Sequence, residues 1–174
     1  MRATLYIPYR CSHQHQHQHL LSATRLRLNH DHYQQPLPMI STIPTTDALE
    51  FHDSEVAELT LQGGDLVIRF SAAYVHRSAL QPGVDDGAGF VQALEMRCLL
   101  PTMLEQSPGC MGGLWDGVLH VAGNRLALVP LPYETREPIA LELSFASGGI
   151  CKLQAQGMVL RATGQAHFVE WFKC

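Results

Sequence analysis

Apolar and polar residues alternate along most of the chain from about His52 to Cys174, and short turn-forming segments interrupt the alternation at intervals. Successive side chains of a β-strand point to opposite faces, so a period of two is typical of strands that bury one face. The clearest segment is 139–145, in which Leu141 and Leu143 fall on one side and Glu142 on the other. The pattern predicts a chain of short strands, each with one apolar face.

Turn-forming residues separate these predicted strands. A pair of glycines at 63–64 lies between two alternating segments and can take the positive φ angles of a tight hairpin turn. A Gly-Asn pair at 123–124 predicts a second hairpin. Three further turns within 147–164 separate four consecutive strands at the C-terminus. Because these turns are short, we expect the four strands to form an antiparallel meander.

About eight to ten such strands, spaced roughly 8–12 residues apart, are typical of a sandwich or a small barrel. No segment of about 10–15 residues has the helical period that a parallel βαβ sheet requires. A chain of 174 residues is most naturally one domain. We therefore predict a single all-β domain over 45–174. It should be an antiparallel β-sandwich or a partly closed small barrel with a C-terminal meander.

The first 38 residues have a different composition. They contain a His-Gln repeat over 13–19 and end in prolines at 36 and 38, and such a segment has no means of burying apolar surface. We predict that 1–38 is a disordered, low-complexity tail and that Met39 is the natural start of the protein. The alternative is that the repeat chelates a metal such as nickel or zinc, since imidazoles are good ligands.

Charge is distributed unevenly along the chain. Residues 1–38 carry four arginines and one acid, whereas residues 39–174 carry eight basic and fifteen acidic residues, a net charge of −7. An acidic body lacks the Lys and Arg that neutralise nucleic-acid phosphates or anionic membranes, so we expect neither as a partner and favour a basic protein. Neither a membrane helix nor a secretory signal is recognisable, and we predict a cytoplasmic location.

The five cysteines, at 11, 98, 110, 151 and 174, are odd in number and irregularly spaced. There is no Cys-x-x-Cys pair, so the sequence indicates neither a zinc ribbon nor a redox motif. We expect reduced thiols and no cofactor. Cys110 lies in a glycine-rich loop that could expose it, but no activating base is visible beside it. Trp115, Trp171 and Phe172 are predicted to anchor the core or a sheet face.

The densest polar cluster is the Phe-His-Asp-Ser-Glu-Val segment at 51–56, just before the first predicted strand. His52 and Asp53 could act as a base and its orienting acid, with Ser54 as a nucleophile. Adjacent side chains of an extended segment point to opposite faces, however, and catalytic triads are assembled from distant segments. We favour a local role, in which Asp53 and Ser54 bond backbone groups where the chain enters the sheet.

The same segment resembles the opening of several small bacterial β-proteins, in which Leu or Phe precedes His-Asp-Ser and a β-hairpin follows. Some of those proteins are of unknown function, and others are grouped with immunity proteins, which neutralise toxins by binding them. The resemblance implies a bacterial protein-binding module and supplies no catalytic residues. The matching residues are Phe51, His52, Asp53, Ser54 and Val56, followed by the hairpin pattern to about Phe70.

The function that we predict from the sequence is a non-catalytic, immunity-like, protein-binding module. Its candidate binding residues are His52, Asp53, Ser54, Glu58 and Glu142. The alternative is a small cupin-like metal-dependent enzyme or a small-ligand binder that uses the histidines of the body. Those histidines are His52, His76, His120 and His167. The body lacks the His-x-His pair of a cupin, and convergence of three of these side chains would favour the alternative.

Overall fold

The computed structural model of the protein describes residues 45–173 of the chain, and the elements below belong to that range. All regular elements are strands, in agreement with the predicted all-β class. The strands are β1 (Thr46–Gln62), β2 (Asp65–Ser78), β3 (Gly87–Cys98), β4 (Thr102–Gln106), β5 (Gly112–Val121), β6 (Asn124–Leu126), β7 (Val129–Leu131), β8 (Tyr133–Thr135), β9 (Ile139–Phe145), β10 (Ile150–Ala155), β11 (Met158–Ala162) and β12 (His167–Phe172).

The strands form one curled antiparallel sheet with the order β4-β10-β9-β5-β1-β2-β3-β11-β8. Three strands lie off this path: β12 pairs with β3, β6 with β5, and β7 with β1. The two halves of the sheet meet where β1 pairs with β5, and this register holds only two residue pairs, Glu55 with Gly113 and Val56 with Gly112. Apolar side chains from both halves fill one common core inside the curl.

The alternation in the sequence corresponds directly to the core. In β9, buried and half-buried residues alternate without exception over the whole strand, and Leu141 and Leu143 are both fully buried. Glu142, between them, is half-buried and points to the other face. Burial of such side chains removes apolar surface from water, which is the main favourable term in folding.

The predicted hairpin turns are found, one of them shifted. Gly63 and Gly64 join β1 to β2 with φ angles of 62° and 92°, as the tight turn requires. The hairpin between β5 and β6 turns at Ala122 and Gly123, one residue earlier than the predicted Gly-Asn pair. Asn124 already belongs to β6 and lies opposite Val121.

The predicted C-terminal meander is wrong, although all four of its strands exist. Only β9 and β10 form a hairpin. β11 leaves β10 and pairs with β3 and β8 in the other half of the sheet, and β12 pairs with β3. The backbone of Gln156 and Gly157 bonds to Leu99 at the end of β3, which carries the chain across to the other half.

Two strands lie in segments that lack the clear alternation of β9. β4 follows Pro101 and pairs with β10. β7 contains Pro130, which lies opposite Ala48 of β1. A proline is tolerated there because β7 pairs with one neighbour, so a strand edge needs no N–H at that position.

Some sequence predictions concern residues outside the described range. The disordered tail at 1–38, the start at Met39, and the metal-binding alternative for the histidine repeat all belong to this group, as do Cys11 and Cys174. Within 45–173 there is no helix long and apolar enough to span a membrane.

Candidate functional site

A β-bulge in the middle of β1 contains the His-Asp-Ser motif. The pairing of β1 with β2 passes from Glu50 opposite Tyr74 to Glu55 opposite Ala72, so the four residues 51–54 of β1 face a single residue, Ala73. The motif was predicted to precede the first strand, and this placement was wrong, since β1 begins five residues before the motif's Phe51. Bulges bend a strand and redirect its side chains.

The buried side chain of Ser54 stabilises the bulge through two hydrogen bonds to backbone groups. Its hydroxyl donates to the carbonyl oxygen of Glu50 at 2.6 Å and accepts the backbone N–H of Tyr74 at 2.9 Å, and the residue is buried. Asp53 has a φ of 62°, a conformation that Asp tolerates better than most residues. Ser54 thus bonds backbone groups, as the local interpretation predicted, and it contributes nothing to an exposed binding surface.

We expect Ser54→Ala to lower the free energy of unfolding by about 1–3 kcal/mol, because it leaves the buried N–H of Tyr74 without an acceptor. Ser71→Ala is the matched control, since Ser71 is exposed and its one hydrogen bond, to the oxygen of Glu55, is long at 3.5 Å. The measurement is chemical denaturation of the full chain. Equal losses at the two serines would contradict this role of Ser54.

His52 and Asp53 are exposed at the top of the bulge, beside an exposed tryptophan. His52 Nδ1 lies 2.6 Å from the carbonyl oxygen of Trp115 in β5, and because a carbonyl only accepts, Nδ1 carries a proton. The other ring nitrogen lies 3.5 Å from Asp53 Oδ1. The rings of His52 and Trp115 meet edge to face at 6.1 Å. These contacts of His52 hold β5 in place at Trp115, and Trp115 itself is 70% exposed.

A second group of polar side chains surrounds Tyr74 on the neighbouring strand. Its hydroxyl donates to Glu170 Oε1 of β12 at 2.9 Å. Burial raises the pKa of Tyr74 most, and the negative charges of Glu170, Glu50 and Asp53 raise it further. These three carboxylates, which we call the acidic cluster, therefore come from two distant strands and lie near one phenol.

His76 lies beneath the acidic cluster. Its Nε2 is 2.5 Å from Glu50 Oε2, and its ring lies between those of Tyr74 and Phe172, with centroid distances of 5.2 and 5.0 Å. The residue is 7% exposed, and among the described atoms its Nδ1 has no hydrogen-bond partner. The Glu50–His76 pair links β1 to β2 under the cover of Phe172.

Glu58 and Glu142, the two acids predicted as binding residues on outward strand faces, each form an ion pair with a neighbouring basic side chain. Glu58 forms an ion pair with Arg69 at 2.5 Å, and Glu142 forms one with Lys152 at 3.1 Å. The acidic cluster differs, because within 45–173 none of its three carboxylates pairs with a Lys or an Arg. The ionisable side chains beside them there are histidines: His76 beside Glu50 and His52 beside Asp53. Uncompensated negative charge is thus concentrated at the bulge and not at Glu58 or Glu142.

The four histidines of the metal-binding alternative do not converge. Over the described part of the chain, no three His, Cys, Asp or Glu side chains come together as metal ligands would. His52 and His76 are on β1 and β2, and His167 is exposed on β12. His120 of β5 lines an open pocket of about 380 Å³ with Thr102, Gln154 and Gln156, and none of the other three histidines lines it.

The predicted thiols are found in the core. Cys98, Cys110 and Cys151 are free and buried, and burial raises the pKa of Cys98 to about 12 and that of Cys151 to about 11. Cys110 is not exposed by its loop, because its thiol points inward and donates to the carbonyl oxygen of Ser107 at 3.0 Å. Cys98 and Cys151 therefore resist ionisation and are poor nucleophiles.

The local sequence pattern did not predict that Glu50, Tyr74 and Glu170 belong to the site. Nothing in the local pattern distinguishes Glu50, Tyr74 or Glu170 from other strand residues, and 96 positions separate the last two. Trp115, Trp171 and Phe172 were expected to anchor the core or a sheet face. Phe172 is buried in the core, whereas Trp115 and Trp171 are 70% and 74% exposed and lie outside it. A tryptophan next to an acid, as at 115–116 and 170–171, was the available signal, because an aromatic ring on an otherwise polar surface is unusual.

Comparison of the chain with protein-family models, with curated proteins and with solved structures finds no match.

Proposed function

We propose that the protein is a non-catalytic, immunity-like binding module and that its partner is a basic protein. The observation that carries this proposal is the acidic cluster, in which Glu50, Asp53 and Glu170 lie near Tyr74 without a Lys or Arg counter-ion among residues 45–173. A partner that supplies cationic side chains would provide the missing counter-ions. The bacterial origin and cytoplasmic location expected from the sequence belong to the same proposal.

The surface beside the cluster suits such a partner. Trp115 is exposed and is held in place through His52, and an indole face attracts guanidinium and ammonium groups. Asp53, next to His52, is also exposed. Tryptophan is enriched among the residues that contribute most of the binding energy at protein–protein interfaces.

The local chemistry favours binding over catalysis. The hydroxyl of Ser54 is buried and bonded to two backbone groups, so it is not placed to attack a substrate. The Nδ1 proton of His52 is bonded to the carbonyl of Trp115, and no bond between His52 and Ser54 exists to activate the serine. The contacts of His52 and Ser54 therefore shape the bulge and do not form a nucleophile with its base.

We expect Asp53→Asn to slow association with the partner at least about threefold at low salt, because long-range attraction between opposite charges speeds encounter. Asparagine has nearly the same size as aspartate and also tolerates the positive φ angle at this position. Glu142→Gln is the control, since it makes the same charge change where Lys152 already neutralises the acid. The partner is first captured from the native cells with the full chain and identified, and association rates are then measured at low and moderate salt.

The proposal requires that the captured protein be basic and that its association rate fall with salt and with Asp53→Asn but not with Glu142→Gln. Capture of an acidic partner would contradict the proposal. Association rates that change neither with salt nor with Asp53→Asn would also contradict it. Binding to duplex DNA is measured in parallel, and tight binding there would also overturn the proposal.

A further inference from the structure

The pocket beside His120 lies on the outer face of the sheet, on the half formed by β4, β10, β9 and β5. Directly paired residues of neighbouring strands share a face, and one row of such pairs crosses the pocket. His120 of β5 pairs with Ala140 of β9, and Ala140 pairs with Gln154 of β10. Gln154 pairs in turn with Thr102 of β4. Ala140 has the shortest side chain of the row, so the surface is lowest between His120 and Gln154.

The next row on the same face is covered by long side chains. Glu142 of β9 lies there between Val118 of β5 and Lys152 of β10. The ammonium group of Lys152 lies 3.1 Å from the carboxylate of Glu142 and 3.8 Å from that of Glu105. These charged side chains therefore cover the sheet and satisfy one another, whereas the row at Ala140 remains open.

Four polar side chains line the pocket without protein partners: Thr102, His120, Gln154 and Gln156. Among residues 45–173, none of these side chains takes part in a hydrogen bond or an ion pair. A hydroxyl, a carboxamide and a neutral imidazole can each donate and accept a hydrogen bond. No Asp, Glu, Lys or Arg of the described residues lines the pocket. The lining therefore combines donors with acceptors and contains no carboxylate, ammonium or guanidinium group.

The rim of the pocket is fixed by backbone hydrogen bonds. The N–H of Gln156 donates to the oxygen of Leu99 at 2.9 Å, and the N–H of Ala122 donates to the oxygen of Pro138 at 2.8 Å. Leu100 and Ala122 have φ angles of 46° and 47°, and they are two of the three non-glycine residues with positive φ in 45–173. Backbone strain of this kind persists only where the surroundings enforce it, and it is concentrated at functional sites. The pocket is therefore preformed.

We propose that this pocket binds a neutral saccharide. Each hydroxyl group of a sugar both donates and accepts, as the polar lining does, and Leu100 and Pro138 supply apolar surface for the C–H groups of the ring. The volume lies within the range of about 300–1,000 Å³ that is usual for small-ligand pockets.

The lining disfavours other classes of small ligand. An ionised ligand would lose hydration without gaining an opposite charge. A nucleobase would lack a stacking partner, because His120 is the only aromatic residue among the described residues that line the pocket. The site is separate from the acidic cluster, whose carboxylates belong to β1 and β12, so the two proposals fail or hold independently.

Sugars that differ only in charge test the class of ligand. The full chain is titrated with glucose, galactose and mannose, and with the amino sugar and the uronic acid of each, and binding is measured from protein chemical shifts by NMR. At least one neutral sugar should bind with a dissociation constant of about 1–10 mM. Its two charged counterparts should bind at least about tenfold more weakly, because the lining holds no counter-ion for them.

Filling the floor of the pocket tests its location. Ala140→Ile should weaken binding of that sugar at least about tenfold, because the larger side chain takes the space between His120 and Gln154, and β-branched residues suit a strand. Ser144→Ile is the matched control, since Ser144 lies on the same strand and face but outside the pocket. Thermal midpoints close to that of the unchanged chain show that both variants keep the fold.

Gln154→Ala provides a second variant that leaves the floor unchanged. It should weaken binding about threefold or more through loss of a hydrogen-bonding group, whereas Gln106→Ala, at an exposed glutamine outside the pocket, should not. Failure of all three neutral sugars to bind at up to about 50 mM would overturn the proposal. Equal binding of the charged counterparts, or binding unchanged by Ala140→Ile and Gln154→Ala, would overturn it as well.

Discussion

Replacing Leu143 with alanine is expected to lower the free energy of unfolding by about 2–5 kcal/mol. Leu143 is fully buried in the centre of β9, within the core that joins the two halves of the sheet. Its strand has neighbours on both sides, β5 and β10, so the backbone has little freedom to close the space left by the missing methyl groups. The loss thus combines reduced apolar burial with a residual cavity.

Glu142→Ala is the control for this prediction, because it changes the adjacent residue on the opposite face. Glu142 is partly exposed, and its ion pair with Lys152 is of the kind that contributes at most about 1 kcal/mol. Both variants are measured by denaturant unfolding of the full chain. Similar losses at 142 and 143 would show that the two faces of β9 do not differ as the structure describes.

Replacing Gly117 with alanine is expected to cost about 1–3 kcal/mol through overpacking. A Cβ atom at this position would lie 2.5 Å from Cβ and Cγ of Phe51. Phe51 cannot withdraw easily, because it is almost fully buried and belongs to the bulge that Ser54 holds. Close-packed interiors transmit such a clash to the backbone, and here the clash falls where β5 passes β1.

Gly113→Ala tests whether the cost comes from the contact with Phe51 and not from the loss of a glycine. Gly113 lies in the same strand, and a Cβ added there would meet no atom within 4 Å. The thermal midpoint of Gly113→Ala should equal or slightly exceed that of the unchanged chain, since alanine reduces the entropy of the unfolded state. A Gly117→Ala chain as stable as Gly113→Ala would contradict the described packing of Phe51.

The candidate site was only partly predictable. His52, Asp53 and Ser54 were found from their polar composition, and the local role of Ser54 followed from its chemistry. Glu58 and Glu142 were chosen as outward acids, but side-chain alternation alone does not show that Arg69 and Lys152 lie beside them. The exposure of Trp115 was missed because large aromatic residues are usually buried, and only the bulge in β5 next to it turns this one outward.

The sequence by itself determined most of the segments that become strands, β4 and β7 excepted, and which face of each predicted strand is apolar. Both properties depend on residues a few positions apart, as the full alternation of β9 and the Gly63-Gly64 hairpin show. Tertiary structure decided which strands are neighbours, because the same alternating pattern suits any partner and register is chosen by long-range packing. For this reason β11 joins β3 instead of β10, and Glu170 meets Tyr74 from 96 residues away.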